Sequence, residues 1–400
     1  MVTGDREQFM TETGRVKINH HMLNFALQTS NTSKEQFSKD LGVNIEGVEK
    51  WLKGIQFPTM HQLLKISKKL GRSPYYFMLL APPDEPPLPA DFRFQRATNG
   101  KLARETLLAI REARRLQSMA NDVMDDLGEN EEPILESITI NAEPTEVGKK
   151  YREMLGINTS VKKMIWGHDD RKAFEDMRDK VESLNIIVLT LPFPVENARG
   201  FSLTDTFPFV IGISQKEKSK KAMNFTLFHE LGHIILRKGG ICIPEDILEN
   251  QNGNEKVEKW CNRFAAEVLL PEYILRANFV SLKKGFDKYL LNEKISDISK
   301  RFYISRQAVA YNLLRINYIN QEQYLSLSYR GEERSKEADE GGISPPRWKK
   351  SLYSRGNKLA RLVYAGNEFG SLTTSDVLGY MSIRLEDYNT MKGAIIEQRK

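Results

Sequence analysis

The sequence FTLFHELGHIIL occupies residues 225–236 and predicts a buried helix that carries a metal site. On an α-helix, residues four apart share a face, so the imidazoles of His229 and His233 can bind one metal ion. Glu230 lies beside them and can carry out proton transfer. The pattern therefore predicts a zinc hydrolase site, and a helix with two half-buried histidines is the alternative. Apolar residues around the pattern place the helix in a core: Phe225, Phe228, Leu231, Ile234 and Ile235.

A third metal ligand is needed, because a catalytic zinc ion usually has three protein ligands and one exchangeable water. The segment 255–273, EKVEKWCNRFAAEVLLPEY, has apolar residues at helical spacing and predicts a second buried helix. Glu258 is the predicted ligand, and Asn262, one turn later, is placed to hydrogen-bond a ligand. Glu255 and Glu267 are the rival ligands. Glu267 is less attractive, since it lies half a turn round the helix from Glu258.

These two segments resemble the ImmA/IrrE family of zinc metallopeptidases. The resemblance covers about residues 145–275. It includes GFSLTDTFPFVIGIS at 200–214, a predicted pair of strands with a turn at Asp205, followed by a basic run and the histidine helix. It implies a small gluzincin-like α+β peptidase core.

The resemblance also implies roles for individual residues. His229, His233 and Glu258 would be the metal ligands, and Glu230 would be the general base. One mild departure is that Cys261 and Asn262 occupy positions where the family often has Ala and Asn or Asp.

Length and composition indicate a globular protein of two or three domains. The chain has 400 residues, 40% of them hydrophobic, and a formal net charge of +6 that permits contact with nucleic acid. No apolar run is long enough to span a membrane, and no signal peptide precedes residue 20, so we expect a cytoplasmic protein without membrane contact. The cysteines, Cys242 and Cys261, are expected to be reduced, with a Cys261 thiolate as an alternative metal ligand.

A helix-turn-helix is predicted near the N-terminus. Residues 33–54, SKEQFSKDLGVNIEGVEKWLKG, contain a capped helix, a turn at Gly42 and a second short helix that ends at Gly54. With the flanking segments, five short helices are expected. Their order resembles the Xre/Cro-like repressor fold over residues 18–80.

In such a fold the recognition helix would be Asn44–Leu52. It would present Asn44, Glu46, Gly47 and Lys50 to the major groove, with Lys53 following. Asn and Lys can read base edges, whereas Glu46 opposes the approach of phosphates, as does Glu49. The alternative is a module that binds a partner protein or another subunit, as in a homodimer.

The predicted fold class is multidomain and mainly α, with a small sheet in the central α+β core. A helix over 101–127 is expected to be a scaffold for the peptidase, and strands are expected at 186–189, 201–203 and 209–213. The predicted divisions are a helix-turn-helix domain (1–80), a proline-rich linker (81–91), the metallopeptidase domain (92–290), a helix-turn-helix-like segment (291–330), a flexible linker (331–347) and a C-terminal helical domain (348–400).

The helix-turn-helix pattern recurs after the core. Residues 295–316 repeat it and are more basic, so they can contact DNA, although a packing role is an equal alternative. A weaker third copy, TTSDVLGYMSIRLEDYNTMKG, lies at 373–393.

The predicted function is a zinc-dependent endopeptidase fused to a DNA-binding type of domain. The resemblance implies that its substrate is a regulatory protein, a helix-turn-helix repressor, in transcriptional, stress or mobile-element control. The alternative is a regulator or antitoxin-like protein that uses the zincin fold as a sensor or scaffold and cuts nothing. Tyr273 and His168 are the candidates for stabilising the oxyanion, and a structural role is expected for both.

Overall fold

The structure is a computed structural model. It describes residues 11, 14–83, 102–129, 135–157, 169–239, 241–242, 255–279, 288–327 and 344–397. The chain divides into two compact units, which are residues 1–88 with 93–112 and residues 89–92 with 113–400. Within the described ranges helices predominate over one small sheet, as the sequence predicts.

The first unit begins with four α-helices and a 3₁₀ helix, which account for the five short helices expected there. Ser33 caps α2, and Gly42 ends it in the left-handed region at φ 64°. Helix α3 starts one residue later than predicted, because Asn44 is its N-cap and accepts a hydrogen bond from the Glu46 amide. The elements are α1 (His20–Thr29), α2 (Lys34–Leu41), α3 (Ile45–Leu52), α4 (Met60–Leu70) and the 3₁₀ helix (Pro74–Met78).

The predicted domain boundary placed helix α5 (Arg104–Leu127) wholly in the metallopeptidase domain, but the helix begins in the first unit. Its residues up to Glu112 belong to the first unit. There Arg104 pairs with Asp40, and Arg111 donates to Thr29 O at 2.7 Å and to Ser30 Oγ at 2.8 Å. These arginines bind a carboxylate and a helix-terminal carbonyl, so the start of α5 is part of the first unit's fold.

The second unit contains a four-stranded sheet of order β1-β3-β2-β4. Strand β1 runs parallel to β3, and β2 runs antiparallel to both β3 and β4. Every residue of β1, β2 and β3 is buried, so both faces of the sheet are covered. The strands are β1 (Ile187–Leu191), β2 (Gly200–Leu203), β3 (Val210–Ser214) and β4 (Ile241–Cys242).

Helices surround this sheet and place the histidine helix at the centre of the unit. Helix α8 packs against β2, β3, α7 and α9, and α6 packs on α9. Trp260 of α9 donates to Ala142 O at 2.8 Å, just before α6 begins. The four helices are α6 (Pro144–Met154), α7 (Asp170–Glu182), α8 (Lys220–Ile235) and α9 (Glu255–Leu269).

The second helix-turn-helix-like segment is part of the core. Tyr303, at φ 53°, turns the chain between α11 and α12, and within α12 only Gln307 is exposed. Val309, Ala310 and Leu313 are buried in the same hydrophobic cluster as α8. The packing role is therefore the one that the structure supports. The elements here are α10 (Glu272–Phe279), α11 (Lys288–Phe302), α12 (Arg306–Arg315) and α13 (Gln321–Ser326).

The last four helices do not form a separate domain, which corrects the predicted division at 348. They belong to the second unit, where α14 packs on β1 and α15 packs on α7. Ser354 donates to Thr190 O at 2.8 Å, and the Lys358 amide donates to Glu182 at 2.8 Å. These helices are α14 (Arg347–Arg355), α15 (Asn357–Phe369), α16 (Thr374–Met381) and α17 (Leu385–Glu397).

Two predicted linkers fall mostly outside the described residues. These are residues 84–91 of the proline-rich segment and 331–343 of the charged segment. Among the helices that the structure describes, none combines the length and apolarity needed to cross a membrane.

Candidate metal centre

The two histidines lie on a helix that is buried almost all round. Ser219 caps α8 by accepting from the Ala222 amide, and from Ala222 to Ile235 only Phe225 is partly exposed. The sequence predicts that one apolar face of this helix is buried, but nearly every side of it is buried, because the sheet, α7 and α9 together enclose the helix. His229 and His233 are 1% and 0% exposed.

Helix α9 brings Glu258 to these histidines. The Nε2 atoms of His229 and His233 are 3.1 Å apart, and each lies 3.2 Å from one carboxylate oxygen of Glu258. Among the described residues, these three form the one group whose donor atoms all lie within 4.8 Å of one another. The geometry thus joins the three residues that the sequence predicts as ligands.

The other ring nitrogens determine which histidine atoms face the centre. His229 Nδ1 lies 2.9 Å from Asn262 Oδ1, and His233 Nδ1 lies 3.0 Å from Lys238 O. Both partners are acceptors, so in the neutral form of each ring Nδ1 carries the proton and Nε2 directs a lone pair inward. Two imidazole lone pairs and a carboxylate then converge, and a cation fits this donor set.

The pKa values of two ligands are consistent with a site that attracts positive charge. Burial raises the pKa of Glu258, but His233 and His229 lower it far more, so the pKa falls well below its usual range. Burial lowers the pKa of His233, but Cys261 and Glu258 raise it more, so the pKa lies well above its usual value. The carboxylate is therefore ionised across the physiological range.

Glu230 is buried beside the cluster without hydrogen bonds of ordinary geometry. Its residue exposure is 0%, and neither carboxylate oxygen has such a partner among the described residues. Burial raises the pKa of Glu230, and the nearby His233 and His229 only partly oppose this. A desolvated carboxylate with a raised pKa is suited to accepting a proton in a reaction.

Strand β2 approaches Glu230 closely at Gly200. A Cβ at this position would lie 2.6 Å from Thr226 Cγ2 and 3.0 Å from Glu230 Oε1. The strand can pass this close because residue 200 has no side chain. Gly200 could not be predicted as a site residue, since a glycine in a strand gives no direct sign of what it faces.

The remaining candidates are not part of the donor cluster. Glu267 is buried, and its Oε2 accepts from the Glu272 amide at 3.1 Å, so it caps α10 and does not join the cluster. Cys261 is a buried free thiol and is not one of the three clustered donors. Tyr273 is 64% exposed. The side chain of Glu255 and all of His168 lie outside the described part of the chain.

One site partner could not be identified from the sequence. Lys238 contributes its backbone carbonyl, which any residue carries. Arg237, at φ 52°, turns the chain after α8 and aims this carbonyl at His233. A positive φ at an arginine has no sequence signature that would have shown this.

The predicted DNA contacts all lie on or beside α3 in the first unit. Glu46, Lys50 and Lys53 are exposed, and Asn44 is also exposed while its oxygen caps the helix. Glu49 forms an ion pair with Lys34 at 3.8 Å. This face therefore carries both signs of charge.

Comparison with known proteins supports the metal centre. Residues 181–314 match the peptidase M78 family model, described as the IrrE N-terminal-like domain. The search of curated proteins found no match to the chain. The matched segment contains all three clustered donors, Glu230 and Asn262, so the part of the chain that holds the metal centre is similar to this peptidase domain.

Proposed function

We propose that this protein is a zinc-dependent endopeptidase. The observation that carries the proposal is the buried convergence of His229 Nε2, His233 Nε2 and the Glu258 carboxylate beside a desolvated Glu230. Two imidazoles and one carboxylate are a common donor set for catalytic zinc, which leaves a position for water or substrate. Glu258 is the ligand on the open side, since its side chain is 17% exposed.

The bound metal ion would supply Lewis-acid activation of the substrate carbonyl and of water. Glu230 would accept a proton from the attacking water at its carboxylate and donate it to the leaving amine nitrogen as the C–N bond breaks. Asn262 and the Lys238 carbonyl would hold the two imidazoles in the required tautomer. Enclosure by α7, α9 and the sheet would keep bulk water away from Glu230.

For the substrate, we propose a regulatory protein, in particular a helix-turn-helix repressor. The supporting observations are the peptidase match and the separate first unit, in which the short helices α2 and α3 are joined by a turn at Gly42. That unit would bind DNA through Asn44, Glu46, Lys50 and Lys53, or would bind a protein partner. Either contact would direct the peptidase to a particular target.

The test compares wild type with Glu230→Gln on helix-turn-helix repressors from the same cell, after both are loaded with zinc. Glutamine keeps the size of the side chain but cannot accept the proton, so cleavage should fall by about 10²–10⁴-fold. Zinc content, measured by mass spectrometry, should be the same in both. No cleavage by either protein with zinc bound would favour a non-catalytic regulator that uses this fold as a sensor. Equal cleavage by the two proteins would contradict the role of Glu230 as the base.

A further inference from the structure

Cationic side chains from α7 and α8 lie over the ring of Tyr353 on α14. Arg171 Cζ of α7 lies 4.7 Å from the ring centroid, and Lys220 Nζ of α8 lies 5.3 Å from it. The buried Arg178 lies at 5.7 Å. The first turns of α7 and α8 therefore meet at one residue of α14.

Further exposed cations lie close to Tyr353 and Lys220 in the sequence. Lys349 and Lys350 precede Tyr353 by four and three residues, so they lie one turn away on the same side of α14. Lys216 and Lys218 lie in the loop that leads from β3 into α8. We call the set the basic face: Lys216, Lys218, Lys220, Lys349 and Lys350.

Three acidic residues in or just before α7 pair with cations that are not part of the basic face. Asp169 pairs with Lys172 at 3.9 Å, Asp170 with Lys221 at 3.9 Å, and Glu175 with Arg171 at 2.9 Å. Glu217 accepts from the Ser219 amide at 3.0 Å. In the part of the chain that the structure describes, no residue of the basic face forms an ion pair. Glu217 offsets part of this charge, and the face keeps a net positive charge.

One helix N-terminus adds to this field. Helix α8 begins at Lys220, whose Nζ lies over the Tyr353 ring, and its N-cap Ser219 carries no charge. The N-terminal end of a helix carries a partial positive charge that favours anions. The N-terminus of α7 is already capped by the Asp169 carboxylate, which accepts from the Arg171 and Lys172 amides. The cations of the basic face and the start of α8 thus form one surface that fits an extended polyanion.

We propose that the basic face binds the phosphate backbone of duplex DNA, independently of the helix-turn-helix of the first unit. Surface binding to a membrane usually requires exposed apolar anchors. The exposed large apolar residues of the described chain include none in the 215–221 loop or on α14. Lys220 precedes His229 by nine residues on α8, so bound DNA would lie about 14 Å along the helix from the metal centre.

The test uses the full chain and a duplex DNA of random sequence. The four-site variant Lys216→Gln, Lys218→Gln, Lys349→Gln, Lys350→Gln is compared with wild type by fluorescence anisotropy across a salt series. Each lost phosphate contact lowers the slope of log K against log salt by about 0.9, so a reduction of about 2–4 is expected. Affinity at low salt should fall at least about tenfold.

A matched control removes four charges elsewhere in the same unit, through Lys150→Gln, Lys256→Gln, Lys288→Gln and Lys392→Gln. It should keep the wild-type slope within about 1. Circular dichroism checks that both variants are folded. The proposal is overturned if the two variants weaken binding equally, if the basic-face variant binds as wild type does, or if wild type binds vesicles of phosphatidylserine and phosphatidylcholine but not the duplex. None of these results depends on peptidase activity.

Discussion

At the residue scale, the metal centre depends on side chains that do not touch the metal. Asn262 Oδ1 accepts a hydrogen bond from His229 Nδ1 at 2.9 Å. Asn262 lies one turn after Glu258 on α9. One helix therefore supplies both a ligand and the group that orients another ligand. Such orienting partners usually affect metal affinity by 10–100-fold.

Replacing Asn262 tests this role. Asn262→Ala leaves His229 Nδ1 without its acceptor, so the zinc affinity should fall by about 10–100-fold, measured by competition with a chromophoric chelator. Asn262→Asp keeps an acceptor at the same position and should retain most of the affinity. Equal losses in the two variants would show that packing of the amide, and not the hydrogen bond, is what matters.

Gly200 gives a second prediction at this scale. In Gly200→Ala the new methyl group would meet Thr226 and Glu230 Oε1, so the carboxylate must move or β2 must shift. A displacement of about 1 Å at a catalytic group can cost about 10²-fold in rate. Cleavage should fall by that order while zinc content stays unchanged, because none of the three ligands lies at Gly200. Loss of zinc together with activity would contradict this account.

At the scale of elements, α15 is held to α7 by a buried carboxylate. Glu182 accepts from the Lys358 amide at the start of α15, and Gly356 lies against its other oxygen, where a Cβ would be 2.1 Å from Oε1. Gly356 has a φ of 78°, which a side chain would also disfavour. The backbone at the start of α15 therefore packs directly against the Glu182 carboxylate.

The pH dependence of stability tests this contact. Burial raises the pKa of Glu182 from 4.5 to about 7, and Arg178 opposes this in part. The folded state thus holds the proton more tightly than the unfolded chain does. Below about pH 4.5 Glu182 is protonated in both states, so its ionisation does not affect the free energy of unfolding. Between about pH 4.5 and 7 the unfolded chain loses this proton more readily than the folded protein does, so the free energy of unfolding of wild type falls. The stability of Glu182→Gln relative to wild type should rise across this window, on the order of 1–3 kcal/mol, and stay constant above it.

Urea unfolding at a series of pH values measures this difference. A second variant, Asp126→Asn, removes an exposed carboxylate on α5 and serves as the control, with no such rise. A constant difference between Glu182→Gln and wild type from pH 4.5 to 7 would show that Glu182 ionises in the folded protein much as it does in the unfolded chain.

At the scale of the whole molecule, local patterns predicted some features well and others poorly. His229 and His233 were predictable, because helical spacing puts both donors on one face. Glu258 is preferred to Glu255 and Glu267 with the support of the family resemblance. The small sheet was also predictable from short apolar runs, although the parallel pairing of β1 with β3 was not. Spacing within one segment says nothing about which segments become neighbours.

The domain boundaries show the same limit. A charged, Gly- and Pro-containing segment predicted a separate C-terminal domain, but α14 packs on β1 through Ser354 and Thr190. Such a contact joins residues more than 160 positions apart. Likewise, the arginines that assign the start of α5 to the first unit bind backbone carbonyls there, which leave no trace in the sequence.

The central claim is that His229, His233 and Glu258 together hold one zinc ion. Anomalous diffraction at the zinc absorption edge, from crystals of the zinc-loaded protein, tests it directly. We predict one peak per chain, about 2.0–2.1 Å from both Nε2 atoms and about 2.0–2.2 Å from a Glu258 oxygen. The absence of a peak between these three residues, or a peak bound through Cys261 in place of Glu258, would contradict it.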